Sequence, residues 1–452
     1  MTKSMTEGKP LPLILQFAVP LLIGNLLQQT YNIIDAAIVG RILGADALAG
    51  VGASSSVQFL VLGFCIGVCC GFGIPVARSF GAQDYDKMRS DIFHGMVLTG
   101  IFAVVLTVSC VLLCPQILHL LSTPEDIYTN AYRYLVIIFM GIPFNLLYNL
   151  LAGIFRSVGD SRTPFMFLAF STVLNIVLDL FCILVLHLGC AGAALATITS
   201  QAVSGILCYV YMRKKIPILR LKRQECHIDG DTIKMMLAMG IPMGLQYSIT
   251  AIGSMVMQSA NNGLGSIYVS GFTAGMRIKQ FMMCPFDALA TGVSVFCSQN
   301  LGAGKMRRIK SGIKQGTAIG VLYGTVAGLV IIFFGRTLSM LFISGEDAAI
   351  LDASAKYLRC MGYFFWSLGI LNVCRMCTQG LGFSGRVIFS GLAEMVARIV
   401  VSLCFVPMFG FTAICFADQS AWLSACVYIV PTCLHCLKIC EKSCRELHKY
   451  DI

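Results

Sequence analysis

Twelve long apolar segments dominate this 452-residue sequence, and most polar residues lie in the short stretches between them. Each segment is long enough to cross the roughly 30 Å hydrocarbon core of a bilayer as a helix. The segments cover residues 13–39, 47–75, 92–114, 130–155, 164–187, 190–212, 234–259, 267–297, 312–334, 353–379, 386–408 and 411–436. Only 12% of the residues are charged, whereas a soluble domain typically has about 25%. The sequence therefore predicts an all-α polytopic membrane protein.

The distribution of basic residues predicts the orientation of these helices. Lys and Arg cluster after helices 2, 4, 6 and 8 and in the C-terminal tail, and residues 213–223 are the densest group. Connections on the other side carry acids such as Glu125 and Asp347. By the positive-inside rule, both termini are expected to be cytoplasmic. The formal net charge of +11 is thus explained by membrane topology, and no nucleic-acid partner is expected.

The sequence also repeats itself at a spacing near 222 residues. Residues 80–82 (Phe-Gly-Ala) recur as residues 301–303 (Leu-Gly-Ala), and Pro20 recurs as Pro242. We therefore predict an N-terminal lobe at residues 1–222 with helices 1–6, and a C-terminal lobe at residues 223–452 with helices 7–12 and a cytoplasmic tail. Six is even, so both halves enter the membrane in the same sense as two parallel six-helix repeats around a central cleft.

Helix 1 carries a polar stripe on an otherwise apolar surface. Asn25, Gln28, Asn32 and Asp35 follow one another at steps of three or four residues, with Tyr31 beside them. Residues at this spacing share one face of a helix. The stripe predicts a helix face that meets a cavity or a partner rather than lipid.

Helix 5 carries a second acid at bilayer depth. Asn175 and Asp179 are four residues apart and share a face, and Thr197 follows in helix 6. A carboxylate at this depth costs roughly 2.5–3.5 kcal/mol on insertion scales, so such residues are usually functional. Two carboxylates with amide and hydroxyl oxygens suit Na+, and they equally suit a proton. The alternative is a pair of buried acids that only stabilise helix packing.

Several motifs together resemble one transporter family. They are Pro20 with Asp35, residues 159–164 (Gly-Asp-Ser-Arg-Thr-Pro), Asn175 with Asp179, residues 191–197 (Ala-Gly-Ala-Ala-Leu-Ala-Thr) and residues 298–304 (Ser-Gln-Asn-Leu-Gly-Ala-Gly). In this combination the chain resembles the MATE (multidrug and toxic compound extrusion) family, in its bacterial DinF-like branch. The resemblance implies two six-helix lobes in the bacterial plasma membrane, and export of mostly cationic organic compounds against inward flow of Na+ or H+.

The resemblance also implies roles for individual residues. The cation-site residues of the family correspond to Asp35, Asn175, Asp179 and Thr197. Substrate contacts are expected at Gln28, Tyr31, Asn145 and Asn149. The alternative for the amides is that they only join transmembrane helices.

The second half of the sequence departs from the first, because helix 7 has no acid at the position that matches Asp35. Glu394 and Arg398 are four residues apart, which favours a structural ion pair over a transport role. Asp287 could bind a second proton or contact substrate, and the role of Asp418 stays open.

Two functions fit these features. The first is an antiporter coupled to Na+ or H+ that exports a small cationic molecule and acts as a monomer in the lipid bilayer. The second is a flippase for lipid-linked precursors or an exporter of an endogenous metabolite. No nucleophile–base arrangement or nucleotide-binding motif is present, so we expect neither an enzyme nor a cofactor, and no metal other than a monovalent cation.

Overall fold

The computed structural model describes residues 3–120, 123–345 and 347–450, and these residues form helices joined by short turns. The first half contains α1 (Pro10–Leu43), α2 (Ala45–Gly81), α3 (Tyr85–Leu120), α4 (Glu125–Met140), α5 (Ile142–Ser157), α6 (Arg162–Leu180) and α7 (Cys190–Lys215). The second half contains α8 (Gly230–Asn262), α9 (Ser266–Gly302), α10 (Met306–Ser339), α11 (Ala348–Gly362), α12 (Trp366–Gly380), α13 (Ser384–Val400), α14 (Val406–Phe409) and α15 (Phe411–Tyr450). The predicted all-α fold class is confirmed.

The order of helices repeats between the halves. In each half, three long helices are followed by two helices of about equal length, α4 with α5 and α11 with α12. In each half the next helix ends in a five-residue π-helical turn, at Phe181–Val185 and at Val401–Phe405. Helices α6 and α13 are therefore counterparts, and so are α7 and α15.

The segment over residues 130–155 differs from the single helix that the sequence predicts. It is broken into α4 and α5, which meet at Gly141 with a bend of 47°. Pro143 lies in the first turn of α5, where its missing N–H leaves no intrahelical hydrogen bond unmade. The segment over residues 353–379 is likewise broken, between α11 and α12.

Most of these helices are long and apolar enough to cross a bilayer. Among the described residues, ten single helices meet this criterion, and the bent pair α4–α5 makes an eleventh span. The counterpart pair α11–α12 completes six helical segments in the second half.

The chain divides into two compact units that follow packing rather than the repeat boundary at residues 222 and 223. Unit 1 contains Met1–Ser4 and Ile23–Gly244, and unit 2 contains Met5–Leu22 and Leu245–Ile452. Helices α1 and α8 each begin in one unit and end in the other. Each change of unit comes two residues after a proline within the helix, Pro20 in α1 and Pro242 in α8.

Close helix packing in each unit depends on glycine. In unit 1, a Cβ atom at Gly71 of α2 would lie 2.5 Å from the Cα atom of Gly240 in α8. In unit 2, a Cβ atom at Gly369 of α12 would lie 2.3 Å from the carbonyl carbon of Gly320 in α10. Small residues at such contacts let helix backbones approach closely within a membrane.

The turn before α6 positions the helix that carries Asn175 and Asp179. Asp160 accepts hydrogen bonds from the backbone N–H of Thr163 at 3.0 Å and from its hydroxyl at 2.7 Å. Gly159 has a φ of 79°, and a Cβ atom there would lie 1.9 Å from the carbonyl oxygen of Lys3. The turn therefore requires glycine for its backbone conformation and for contact with the N-terminal segment.

Candidate functional site

The structure brings the two intramembrane acids of unit 1 into contact. Asp35 comes from α1 and Asp179 from α6, and their carboxyl groups lie close enough to interact electrostatically. Asp179 is fully buried. Two ionised carboxylates in such proximity repel each other, and a proton or another small cation between them relieves that repulsion. The chemistry of the pair therefore suits a proton or another small cation.

Further oxygen atoms converge on this pair. The Asn175 amide donates a hydrogen bond to the Thr197 hydroxyl at 3.3 Å, and the Tyr31 hydroxyl lies 3.3 Å from the same oxygen. Within the described part of the chain, the carbonyl oxygen of the Asn175 side chain has no hydrogen-bond partner. The same is true of one oxygen of Asp35, and no donor group reaches either oxygen of Asp179. Buried oxygens that lack donors are suited to bind a hard monovalent cation or a proton.

Two residues of this site were missed by the sequence analysis. The Tyr134 side chain, on α4, interacts electrostatically with Asp35 and Asp179 and hydrogen-bonds to Gln58 of α2. Tyr134 is buried, and Gln58 is half-buried. Nothing in the local sequence distinguishes them, because tyrosines are common in transmembrane segments and a lone amide is weak evidence. The site, called the acid-pair site below, consists of Asp35, Asn175, Asp179, Thr197, Tyr31, Tyr134 and Gln58.

The proposed substrate contacts fall into two groups. Tyr31 belongs to the acid-pair site, and Gln28 is an exposed side chain one turn earlier on α1. Asn145 and Asn149 form a separate amide cluster on α5. Asn149 donates to the Asn145 side chain at 3.1 Å, and Asn145 donates to Gln201 of α7 at 3.4 Å. Among the described residues, no hydrogen bond connects this cluster to the acid pair.

Unit 2 contains a buried network of five charged side chains. Lys279 donates to Asp418 at 2.6 Å, and Arg398 donates to the other oxygen of Asp418 at 3.1 Å. Arg398 also donates to Glu394 at 3.3 Å, and Arg375 donates to the second oxygen of Glu394. The Glu394–Arg398 contact predicted from sequence is present, but as the middle of a longer chain of charges. These five residues are called the charge network below.

Three of the five residues of the charge network lie on helices whose counterparts in the other half, α6 and α7, carry part of the acid-pair site. Glu394 and Arg398 are on α13, the counterpart of α6, and Asp418 is on α15, the counterpart of α7. Tyr357 of α11 donates to Asp418 at 2.8 Å. Lys279 and Arg375 were missed from the sequence, although an isolated basic residue within an apolar helix is itself a signal. The carboxylates of the charge network, Glu394 and Asp418, are thus neutralised by side chains of the same chain.

Asp287, on α9, differs from the acids of both sites because it is exposed. Among the described side chains, Arg375 is its charged neighbour, and Cys284 lies one turn away on the same helix. Asp287 therefore lies at the accessible end of the charge network.

The MatE family model matches the chain twice, over residues 20–181 and 242–404, and the two matches begin 222 residues apart. The chain belongs to the MATE family. The two matches confirm the internal repeat that the sequence predicts for this MATE protein. Members of the family are transporters, so the prediction that the chain is not an enzyme is confirmed.

The MATE protein is similar to known proteins over almost its whole length. It is 32% identical to the probable multidrug resistance protein YpnP of Bacillus subtilis (strain 168), over 92% of this chain and 90% of that protein. It is 27% identical to the probable multidrug resistance protein YoeA of the same strain, over 84% of this chain and 83% of that protein. Its fold matches a crystal structure of MATE in complex with MaL6, with a TM-score of 0.91, 20% identity and coverage of 98% and 100% of the two chains.

Proposed function

We propose that this MATE protein exports small organic cations across the bacterial plasma membrane in exchange for Na+ or H+. Asp35, Asn175, Asp179 and Thr197 bind the coupling ion, and both termini are cytoplasmic. Gln28, Tyr31, Asn145 and Asn149 contact the substrate. The two relatives named above carry names that describe multidrug resistance, which supports a drug-like substrate.

The contact between Asp35 and Asp179 carries this proposal. Only one positive charge, a proton or Na+, is needed between the two acids, so its arrival and release change the charge of the site by one unit. The coupling ion binds on one side of the membrane and is released on the other, by alternating access. This cycle couples the movement of the ion to export of the substrate. Because both six-helix repeats lie on one chain, a monomer contains every part of the cycle.

A flippase for phosphate-bearing lipids is less well supported. Such a transporter needs cationic side chains that are free to bind phosphate. The buried cations of the charge network, Lys279, Arg375 and Arg398, are each held by carboxylate oxygens. A substrate phosphate would have to displace these partners.

Transport measurements in inverted membrane vesicles test the proposed function. A cationic dye should accumulate in vesicles under an inside-high gradient of Na+ alone or of H+ alone, and the effective gradient identifies the coupling ion. Asp35→Asn and Asp179→Asn should each abolish accumulation while leaving expression unchanged, because a neutral amide cannot take up the proton and lacks the negative charge that holds Na+. Asp231→Asn, at an exposed position in the first turn of α8, is the matched control. Full accumulation by a well-expressed Asp179→Asn protein would contradict the assignment of the site.

A further inference from the structure

Asp287 is an accessible carboxylate in a stretch of helix whose other side chains are buried or half-buried. The structure describes residues 274–302 of α9 without gaps, and within them Asp287 is the one exposed side chain. Cys284, Phe286, Ala288, Leu289 and Ala290 around it are buried. The most accessible side chain of this stretch is thus a carboxylate.

The exposure of Asp287 does not have the pattern of contact with lipid. A lipid-facing helix exposes a stripe at steps of three and four residues, as α3 does with Ile101, Val104, Val108 and Leu112. The residues at those steps from Asp287 are Met283, Cys284, Ala290 and Thr291, and each is buried or half-buried. A carboxylate facing lipid would also be costly. Asp287 therefore lies in a local opening that admits water or a ligand.

The carboxylate of Asp287 is only partly compensated within unit 2. Arg375 faces it electrostatically, but no described group donates a hydrogen bond to its oxygens. Arg375 also donates to Glu394 and to the Ser390 hydroxyl, so its donors are directed elsewhere. Both oxygens of Asp287 are therefore available to a ligand.

The charge balance of the network indicates the sign of that ligand. The charge network contains three cations and two carboxylates and so has one positive charge in excess. Ionised Asp287 brings the six groups to neutrality. An anionic ligand at Asp287 would meet a carboxylate directly, whereas a cationic ligand gains an unshared carboxylate in an apolar setting. Arg375 limits the strength of that attraction, which allows release.

We propose that Asp287 binds the positive charge of the exported organic cation, at a site distinct from the coupling-ion site at Asp35 and Asp179. This inference rests on the proposed function, and it places the residue that binds the positive charge of the substrate in unit 2. Met282 and Met283, both half-buried beside Asp287, provide apolar and adaptable side chains for the body of a lipophilic cation. Substrate charge and coupling-ion charge are then recognised by different carboxylates.

Binding of two probes of similar shape and different charge tests this proposal. Tetraphenylphosphonium is a permanent cation, and triphenylphosphine oxide is uncharged. Calorimetric titration of the purified full-length protein in detergent measures both. Asp287→Asn should weaken binding of tetraphenylphosphonium about tenfold, a loss of roughly 1.4 kcal/mol, and leave binding of the oxide unchanged. Asp287→Glu should restore most of the affinity, and Asp231→Asn should match the wild-type protein.

A second measurement separates this site from the acid-pair site. Added Na+, or a lower pH, should raise the melting temperature of the wild-type and Asp287→Asn proteins by the same amount, and that of Asp179→Asn by less. If Asp287→Asn binds tetraphenylphosphonium as tightly as the wild-type protein, the proposal is overturned. If the wild-type protein prefers the uncharged oxide, the proposed export of cations is itself wrong.

The test also holds if Asp287→Asn fails to fold. Asp287→Glu keeps the charge and moves it outward by one methylene, so it should change the ranking of phosphonium ions that differ in size. An unchanged ranking in a folded Asp287→Glu protein overturns the proposal.

Discussion

Glu394 lies between two guanidinium groups, whereas Arg398 lies between two carboxylates, and removing them should have unequal effects. Without Arg398, the pairs Lys279–Asp418 and Arg375–Glu394 both remain. Without the charge of Glu394, Arg375 loses its buried carboxylate partner, and Lys279 and Arg398 share the carboxylate of Asp418. Breaking a buried pair so that a charge is stranded typically costs about 3–5 kcal/mol. We therefore expect Glu394→Gln to lower the melting temperature of the purified protein clearly more than Arg398→Met.

This prediction distinguishes a network from an isolated ion pair. Arg359→Met, which removes a charge from an exposed position on α11, serves as the control and should melt like the wild-type protein. Equal destabilisation by Glu394→Gln and Arg398→Met would indicate that the two residues act as a pair of their own. Variants that stay stable but lose transport would show that the charge network takes part in transport and does not merely stabilise the fold.

At the scale of helices, five glycines four residues apart form a stripe on α10, and the last three let it lie against the broken segment α11–α12. The stripe consists of Gly312, Gly316, Gly320, Gly324 and Gly328. A Cβ atom at Gly328 would lie 2.5 Å from the carbonyl oxygen of Gly362, and backbone cannot move aside as a flexible side chain can. Overpacking typically costs about 1–3 kcal/mol. Gly328→Ala should therefore lower the melting temperature and the yield of folded protein.

Gly385→Ala is the matched control for this prediction. Gly385 lies in the first turn of α13, and no atom comes within 4 Å of a Cβ placed there. Alanine favours helix over glycine, so this variant should be neutral or slightly stabilised. If Gly328→Ala melts at the same temperature as Gly385→Ala, backbone contact between α10 and the α11–α12 segment is not what stabilises this face.

At the scale of the whole molecule, the two repeats differ in how their acids are compensated. In unit 2 the carboxylates of Glu394 and Asp418 are neutralised by tethered cations, namely Lys279, Arg375 and Arg398. In unit 1, none of the described basic side chains is a partner of Asp35 or Asp179. A tethered cation cannot leave, whereas a proton or Na+ can. Exchange of a coupling ion is therefore expected in unit 1 only.

The parallel arrangement of the repeats makes a prediction about topology. Six membrane crossings per repeat place residues 216–229, between α7 and α8, on the same side as both termini. Green fluorescent protein fused after residue 452 should fluoresce, and alkaline phosphatase fused there should be inactive, because the former requires the cytoplasm and the latter the periplasm. Alkaline phosphatase fused after Gly345, in the connection before α11, should be active. Active phosphatase at both sites would contradict the three crossings expected between residues 345 and 452.

The sequence alone was sufficient for the class of fold and for the family. The length and hydropathy of the segments predict helices, because each must satisfy its backbone hydrogen bonds within the bilayer. The repeat near 222 residues predicts the duplication, and the MatE match confirms it. The break at Gly141 was also accessible, since glycine and Pro143 stand together, but it was not predicted. Such features are local, and they depend on the order of residues along one helix.

Only the tertiary structure decided which polar faces meet. Helical periodicity places Asn175 and Asp179 on one face, but it does not indicate which of the other helices that face contacts. The carboxyl contact between Asp35 and Asp179 joins α1 to α6, and the bond between Lys279 and Asp418 joins α9 to α15. The sequence likewise presented Glu394 and Arg398 as a simple pair, because their other partners lie on α12 and α15. Contacts between distant helices depend on how all helices pack at once, so the acid-pair site and the charge network emerged only from the folded chain.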